Sequence, residues 1–230
     1  MQRRPTPELL DTDSGTPAEI AASLRDLRWF NQWFGGIATS RRLIEIVAAT
    51  TGRNGFSVLE VAAGDGFVPR TLQKRLERSG IHLSITLLDR AASHLPANGS
   101  MARISGDALA LPFHASAFDV VSCSLFAHHL LPEQVVLFAR EALRICRVAI
   151  LVNDLVRNPL HLAVAYAGVP LYRSRITRND APASVRQAYA VEEMRGFFQE
   201  AGASKVEILR HYFYRMGVIG WKRDPHEFES

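Results

Sequence analysis

The residues best suited to chemistry sit at four places where a β-rich run gives way to small or acidic residues. The first run, 56–61, carries Glu60 and leads into Ala62, Ala63, Gly64, Asp65 and Gly66. Small residues there let the backbone approach a ligand closely, and a carboxylate at Glu60 can accept hydrogen bonds from an ammonium group. The second run closes at Asp89, where a carboxylate can take both hydroxyls of a ribose. The third is followed by Gly106-Asp107-Ala108, whose acid can accept from an adenine amino group. The fourth ends in Cys123-Ser124-Leu125 and runs on to His128 and His129. A histidine near its reference pKa of about 6.5 can accept a proton at neutral pH; a histidine in such a place also packs and orients a loop. Alone, each piece is compatible with an ordinary turn, but four in this order are a specific pattern.

Their placement depends on an alternation of strand and helix. Phe56–Val61, Ile81–Leu88, Met101–Ser105, Phe118–Ser124 and Val148–Val152 read as strands, and Pro69–Ser79 and Pro132–Ile145 as helices between them. Proline in a first helical turn costs no hydrogen bond, and Gly80 ends its helix as a glycine in the left-handed conformation does. Strands alternating with helices predict βαβ units and a parallel sheet with helices on both faces. In such a sheet ligands bind beyond the carboxyl ends of the strands, where the four acid- and glycine-bearing turns fall. A later amphipathic helix carries Met194, Phe197, Phe198 and Ala201, and Lys205–Arg210 with Phe213–Trp221 predict a closing strand pair.

Composition narrows the function classes. Of 230 residues, 47% are apolar and 22% charged, which excludes wholesale disorder and coiled coil. No apolar run reaches the roughly 18–20 residues of a membrane span, and the N-terminus lacks the apolar stretch of a secretory signal. Two cysteines, Cys123 and Cys146, without a CxxC pair, support neither a disulfide framework nor a zinc knuckle, so a cytoplasmic home is expected. The net charge of +4 is spread along the chain, with no basic stripe interleaved with aromatics, so no nucleic-acid partner is expected.

These motifs resemble the class I S-adenosylmethionine-dependent methyltransferases, of the group that includes the ubiquinone and menaquinone biosynthesis methyltransferases. The resemblance covers about 41–222. Leu59 to Gly66 stands where the family has D/E-x-G-x-G-x-G; Gly106-Asp107-Ala108 with Leu111-Pro112-Phe113 matches G-D-A-x-x-L-P-F; Phe118-Asp119-Val120-Val121 and His128-His129-Leu130 match F-D-V-V and H-H-L. It implies an α/β, Rossmann-like seven-stranded sheet of order 3-2-1-4-5-7-6 with strand seven antiparallel, and S-adenosyl-L-methionine as cofactor. Glu60, Ala62, Ala63, Gly64 and Gly66 would hold its methionine part, Asp89 and Arg90 the ribose, Asp107 and Ala108 the adenine, with Ser124 and Leu125 alongside. Ala62 departs from the family, standing where it has its first glycine. An extended backbone there would tolerate alanine, and cofactor binding is expected to survive. A nicotinamide-binding domain is the competitor, but the third glycine of G-x-G-x-x-G is missing and Asp65 would put negative charge where a pyrophosphate must sit.

Residues 1–17 read as a flexible tail, 18–52 as an N-terminal helical cap, 53–222 as the methyltransferase domain with a lid-like insertion at 155–189, and 223–230 as a second tail. His128 and His129 are the candidate bases, His128 favoured because it lies nearer the strand end. Asp154 either binds an acceptor hydroxyl or caps the next segment. Trp29, Trp33, Phe34, Tyr166 and Tyr172 are candidates for an aromatic acceptor pocket, or for helix packing. Arg173, Arg175, Arg178 and Arg186 either receive an acidic substituent or form a solvated face. No metal site is expected. The acceptor is a small molecule, phenolic or quinol-like with O-methylation favoured over ring C-methylation, and a non-catalytic cofactor-binding protein is the alternative of another class. A homodimer is compatible with the chain.

Overall fold

The computed structural model describes residues 1–12, 15–96, 100–211 and 214–228. Its strands are β1 (Gly55–Val61), β2 (His82–Asp89), β3 (Ala102–Ser105), β4 (Phe118–Ser124), β5 (Cys146–Leu155), β6 (Lys205–His211) and β7 (Arg215–Trp221). They form one seven-stranded sheet in the order β3-β2-β1-β4-β5-β7-β6. β1 pairs in parallel with β2 and β4, and β7 runs antiparallel to both β5 and β6. The expected topology is met. The expected first residue of the last strand, Phe213, lies outside the described residues.

The helices are α1 (Pro17–Trp33), α2 (Gly36–Thr51), α3 (Phe67–Glu77), α4 (Pro132–Ile145), α5 (Pro159–Ala167), α6 (Arg175–Gln187) and α7 (Val191–Glu200). One buried cluster lies against α4 and α7, where Val135, Ala139, Met194 and Phe198 meet Val121 and Val152. A second joins α2 and α3 to the other sheet face through Leu43, Val47, Leu72 and Leu76. α2 is therefore a layer of the sandwich, not part of a cap; the methyl group a Cβ would add to Gly217 of β7 would meet Leu43. At the end of α3, Ile81 N–H bonds Leu76 O at 3.0 Å and Gly80 N–H bonds Glu77 O at 3.1 Å, with Gly80 at φ 78°. That pair of bonds is the left-handed helix stop the glycine announced.

The segment 155–189 folds as α5 and α6, which pack on each other, with α6 also on α1, beyond the carboxyl rim of the sheet. The α1–α6 contact is polar. Asp26, buried on α1, accepts from the backbone of Arg173 at 2.9 Å and Ser174 at 3.2 Å, capping α6 from outside its own chain segment. Ser23 and Thr177 hydroxyls meet at 3.2 Å.

The first residues overturn the expectation of a flexible tail. Arg3 donates to the carbonyls of Gln187 (2.7 Å), Leu130 (2.8 Å) and His128 (3.0 Å), and its guanidinium stacks on Tyr189. Glu8 is 7% exposed and accepts from Ser184 and Gln187, both at 2.6 Å. This segment is a strap across α6 and the loop after β4, with enough hydrogen bonds to offset its ordering cost. Among the described residues no helix is long and apolar enough to cross a membrane.

Asp26→Ala removes two backbone hydrogen bonds to a carboxylate cap and should lower stability by about 1–2 kcal/mol, measured as a shift in the denaturation midpoint at unchanged slope.

Candidate active site

The carboxyl ends of β1, β2 and β4, the helices α1, α5 and α6, and the N-terminal strap enclose one cavity of about 1750 Å³. A single small-ligand site usually occupies about 300–1,000 Å³, so there is room for two ligands side by side. Glu60, Asp89 and Asp107 all line it, as do Ala62, Ala63 and Gly64. Arg90, Ala108, Ser124 and Leu125 complete the same wall. Gly66 stands back from the cavity. It sits in the left-handed conformation at the start of α3, where a Cβ would come within 2.9 Å of Leu87. Its role is the turn, not contact.

Each acid on this rim has a different supporting environment. Asp89 accepts from Gly64 N–H at 2.9 Å and from Ala91 N–H at 3.0 Å, which ties the loop after β1 to the end of β2. Asp107 accepts from Leu109 N–H at 2.9 Å and is exposed to the cavity mouth. Glu60 is 3% exposed. Burial pushes its pKa up to about 7, with only the Ser122 and Ser124 side chains hydrogen-bonding to oppose it. A buried carboxylate with two hydroxyl partners and no cation of its own is matched to a positively charged ligand group.

Ala62 has φ 52°. The family position it fills carries glycine for a reason the backbone makes visible: the turn out of β1 is left-handed, where an L-residue pays about 1–2 kcal/mol. The extended backbone expected at Ala62 is therefore corrected. Gly64, also at positive φ, has open space where a Cβ would stand. The loop is further held from α1, where Arg28 donates to Asp65 at 2.6 Å.

The histidines occupy the wall opposite. Leu125, at φ 55°, bends the chain out of β4 into a single turn of 3-10 helix over Ala127–His129. His128 is 2% exposed, with Nδ1 at 2.6 Å from Asp154 and Nε2 at 3.5 Å from Glu8. Burial disfavours its charge, but Asp154 and Glu8 together outweigh that and push its pKa up to about 10. These two carboxylates favour the charged imidazole, whereas a general base needs a free lone pair, so the surroundings of His128 work against the expected role as base. Asp154 does not reach the cavity; it lies behind His128 and also accepts the His128 backbone N–H at 3.0 Å. It orients the ring and does not meet an acceptor. His129 is partly open to the cavity, with Nδ1 at 2.7 Å from Asp11.

Trp29, Phe34 and Tyr172 line the cavity as expected, with Phe30 among them. Trp29 packs on Phe34 at 5.0 Å and Phe30 edge-on to Tyr172 at 5.4 Å between ring centroids. Trp33 and Tyr166 do not line it: Trp33 is 65% exposed, and Tyr166 is engaged by Arg186. Nor do Arg173, Arg175, Arg178 and Arg186; Arg175 pairs with Glu19 of α1 at 3.0 Å, Arg178 donates to Tyr172 O at 3.2 Å, and the Arg173 side chain is exposed. The residues that sequence reasoning missed are Glu8 and Asp11 on the strap, Arg28 on α1, and Arg215 on β7. Arg215 is 3% exposed and reaches Phe34 O at 3.2 Å, Asn31 at 3.3 Å and Asn153 at 3.4 Å. Burial holds its pKa down to about 10, so it is still a cation at neutral pH. Cys123 is fully buried, and burial raises its thiol pKa well above the usual value, which leaves no thiolate for chemistry.

Comparison with known proteins places this geometry. Residues 58–148 match the family model described as a methyltransferase domain. That match covers less than half of the chain. It runs from β1 to the start of β5 and includes Glu60, Asp89, Asp107 and both histidines. The match agrees with the expected enzyme class and with S-adenosylmethionine as its cofactor, while nothing in it singles out the ubiquinone and menaquinone group. Among solved structures, the fold is similar to the plantazolicin methyltransferase BpumL, crystallised with a triazolic desmethylPZN analog and SAH, at TM-score 0.70 and 13% identity over 94% of this chain and 95% of that one. It is similar to the plantazolicin methyltransferase BamL at TM-score 0.64 and 13% identity, over 87% and 91%. The citrinin polyketide synthase CMeT domain gives TM-score 0.54 and 13% identity, over 74% of this chain and 47% of that one. At these identities the likeness is one of fold. No curated protein matches the chain in sequence.

Ala62→Gly relieves the left-handed strain and should raise stability by about 1 kcal/mol, read as an upward shift of the denaturation midpoint. A fall would show that the turn is not left-handed.

Proposed function

We propose that this chain transfers a methyl group from S-adenosylmethionine to a small, largely aromatic acceptor. The observation that carries the reading is the convergence of Glu60, Asp89 and Asp107 on one wall of a cavity whose opposite wall is aromatic and histidine-lined. The donor set fits the cofactor. Glu60 offers a buried carboxylate to the methionine ammonium, Asp89 a carboxylate at ribose depth, and Asp107 an acceptor at the adenine edge. Arg215, a buried cation on the cavity wall, is placed to oppose a carboxylate.

When bound, the cofactor supplies a methyl group on a positively charged sulfur, already activated for in-line displacement. The chain's part is then alignment and exclusion of water. The loop after β1, pinned by Asp89 and by the Arg28–Asp65 pair, sets the cofactor's position. Trp29, Phe30, Phe34 and Tyr172 give an apolar face for a flat ring. The helices α5 and α6 close the cavity on the side away from the sheet. His128, held by Asp154 and facing Glu8, is a fixed residue of that wall.

A phenolic or quinol-like oxygen suits the aromatic wall, and transfer to a ring carbon is the related alternative. The solved structures of similar fold include plantazolicin methyltransferases and a polyketide synthase domain, so the fold leaves the acceptor open, and the aromatic wall is what supports the phenolic reading. Incubation with the cofactor and a panel of phenols and quinols, followed by S-adenosylhomocysteine release, tests turnover. Binding without release on any acceptor would favour a cofactor-binding protein that does not turn over.

Two outcomes are expected from calorimetry with S-adenosylmethionine. Asp89→Ala should weaken binding at least tenfold; unchanged affinity would remove Asp89 from the site. Glu60 has to be ionised to meet an ammonium group, and its pKa without ligand is about 7. Affinity should therefore fall roughly tenfold per unit below that pH, and fall again above about pH 8, where the cofactor's own α-ammonium loses its proton. Glu60→Gln should be weaker at pH 8 and lose the fall on the acid side.

A further inference from the structure

We propose that Glu8, His128 and His129 form a binding site for one divalent transition-metal ion on the acceptor wall of the cavity. One ligand atom from each of the three lies within 4.8 Å of the others. His128 Nε2 stands 3.5 Å from Glu8 Oε1, and His129 Nε2 stands 3.9 Å from Glu8 Oε2. Tetrahedral coordination at about 2.0–2.1 Å separates ligand atoms by roughly 3.3 Å, so closure around an ion shortens these two contacts, made to different Glu8 oxygens, by about 0.2 and 0.6 Å, and the widest pair of ligand atoms by up to about 1.5 Å.

The imidazoles are arranged as metal ligands are. A ligating histidine presents one ring nitrogen to the metal and donates the other to a carboxylate or carbonyl, which sets the tautomer and the ring plane. Both histidines here do so. His128 Nδ1 meets Asp154 at 2.6 Å and His129 Nδ1 meets Asp11 at 2.7 Å, leaving both Nε2 atoms turned to the same carboxylate. Consecutive side chains on a strand point to opposite faces. The turn over Ala127–His129 instead brings these two rings together, with centroids 4.2 Å apart and planes 35° from parallel. The Glu8 carboxylate is fixed by Ser184 and Gln187, both on Oε1, and Arg3 pins the turn through the carbonyls of His128 and Leu130.

Charge points the same way. With neutral imidazoles, Glu8, Asp11 and Asp154 bring three negative charges to two rings, while the nearby Arg3 guanidinium is spent on carbonyl oxygens and Tyr189. A divalent ion leaves the cluster one charge from neutral. Two nitrogens and one carboxylate oxygen suit zinc, cobalt or iron more than magnesium or calcium, which take all-oxygen sets. Three protein ligands leave coordination positions open to the cavity. If the methyl-transfer reading holds, an acceptor oxygen can occupy one of them, and this last step alone rests on that reading.

The test uses the full chain stripped with a chelator and titrated with Co²⁺, whose visible absorption reports nitrogen and oxygen ligation. One equivalent should bind with a d–d band, displaced by Zn²⁺. His129→Ala should abolish the band. Asp11→Asn, a change at a half-exposed carboxylate that the fold tolerates, should weaken binding about 10- to 100-fold. Circular dichroism of each variant separates loss of the site from loss of the fold. No uptake by the wild-type chain, or equal uptake by folded His129→Ala, would overturn the proposal. Calorimetry with S-adenosylmethionine on the same stripped protein reports on the methyltransferase reading separately, since the three ligands lie off the cofactor wall.

Discussion

Negative charge gathered at one rim of a parallel sheet is the constraint around which this molecule is arranged. Glu8, Glu60, Asp89 and Asp154 are all buried there, and an ionised carboxylate removed from water is tolerated only with partners. Each is met differently. Asp89 takes backbone N–H groups from the adjoining loops, and Asp154 takes an imidazole and its backbone N–H. Glu8 takes a hydroxyl and an amide from α6. Glu60 has serine hydroxyls alone, and it is the acid whose pKa rises. The difference sets Glu60 apart from the other three, whose charge is met within the protein.

The helices above the rim follow from the same constraint. α1 carries Arg28 to the cofactor loop and Asp26 to the start of α6, so one helix connects both walls of the cavity. Arg215 ties the α1–α2 junction to the ends of β5 and β7 through Asn31, Phe34 and Asn153. Polar contacts of this kind hold orientation more strictly than apolar packing does, which suits walls that must keep two ligands in line.

Much of this was legible in the chain. Strand order, the acids at three strand ends and the glycine stop after α3 are local signals, and local signals survive folding. Apolar runs such as Val148–Val152 announced strands buried on both faces. What was hidden depended on distance. Glu8 and Asp11 meet His128 and His129 across well over a hundred residues, and no spacing rule links them. The prolines and acids of the first seventeen residues imitate a solvated tail, and the hydrogen bonds that order them come from α6 and the loop after β4. The second carboxylate beside His128 was hidden for the same reason, because it arrives from the strap. Ala62 was visible as a departure, but only the backbone angle shows its cost. The arginines of α6 looked available to a ligand and are instead internal ties, whereas Arg215 lay unremarked in a strand.

The strap also bears on how the molecule assembles. Arg3 bonds Gln187 at a sequence separation of 184, and Leu9 bonds Asp180 at 171. Closing loops of that length is entropically costly and slow relative to the neighbouring-strand contacts of the sheet. The sheet can therefore form before the strap closes over α6. During synthesis the strap residues leave the ribosome long before α6 exists to receive them, so this seal on the cavity is among the last contacts to form.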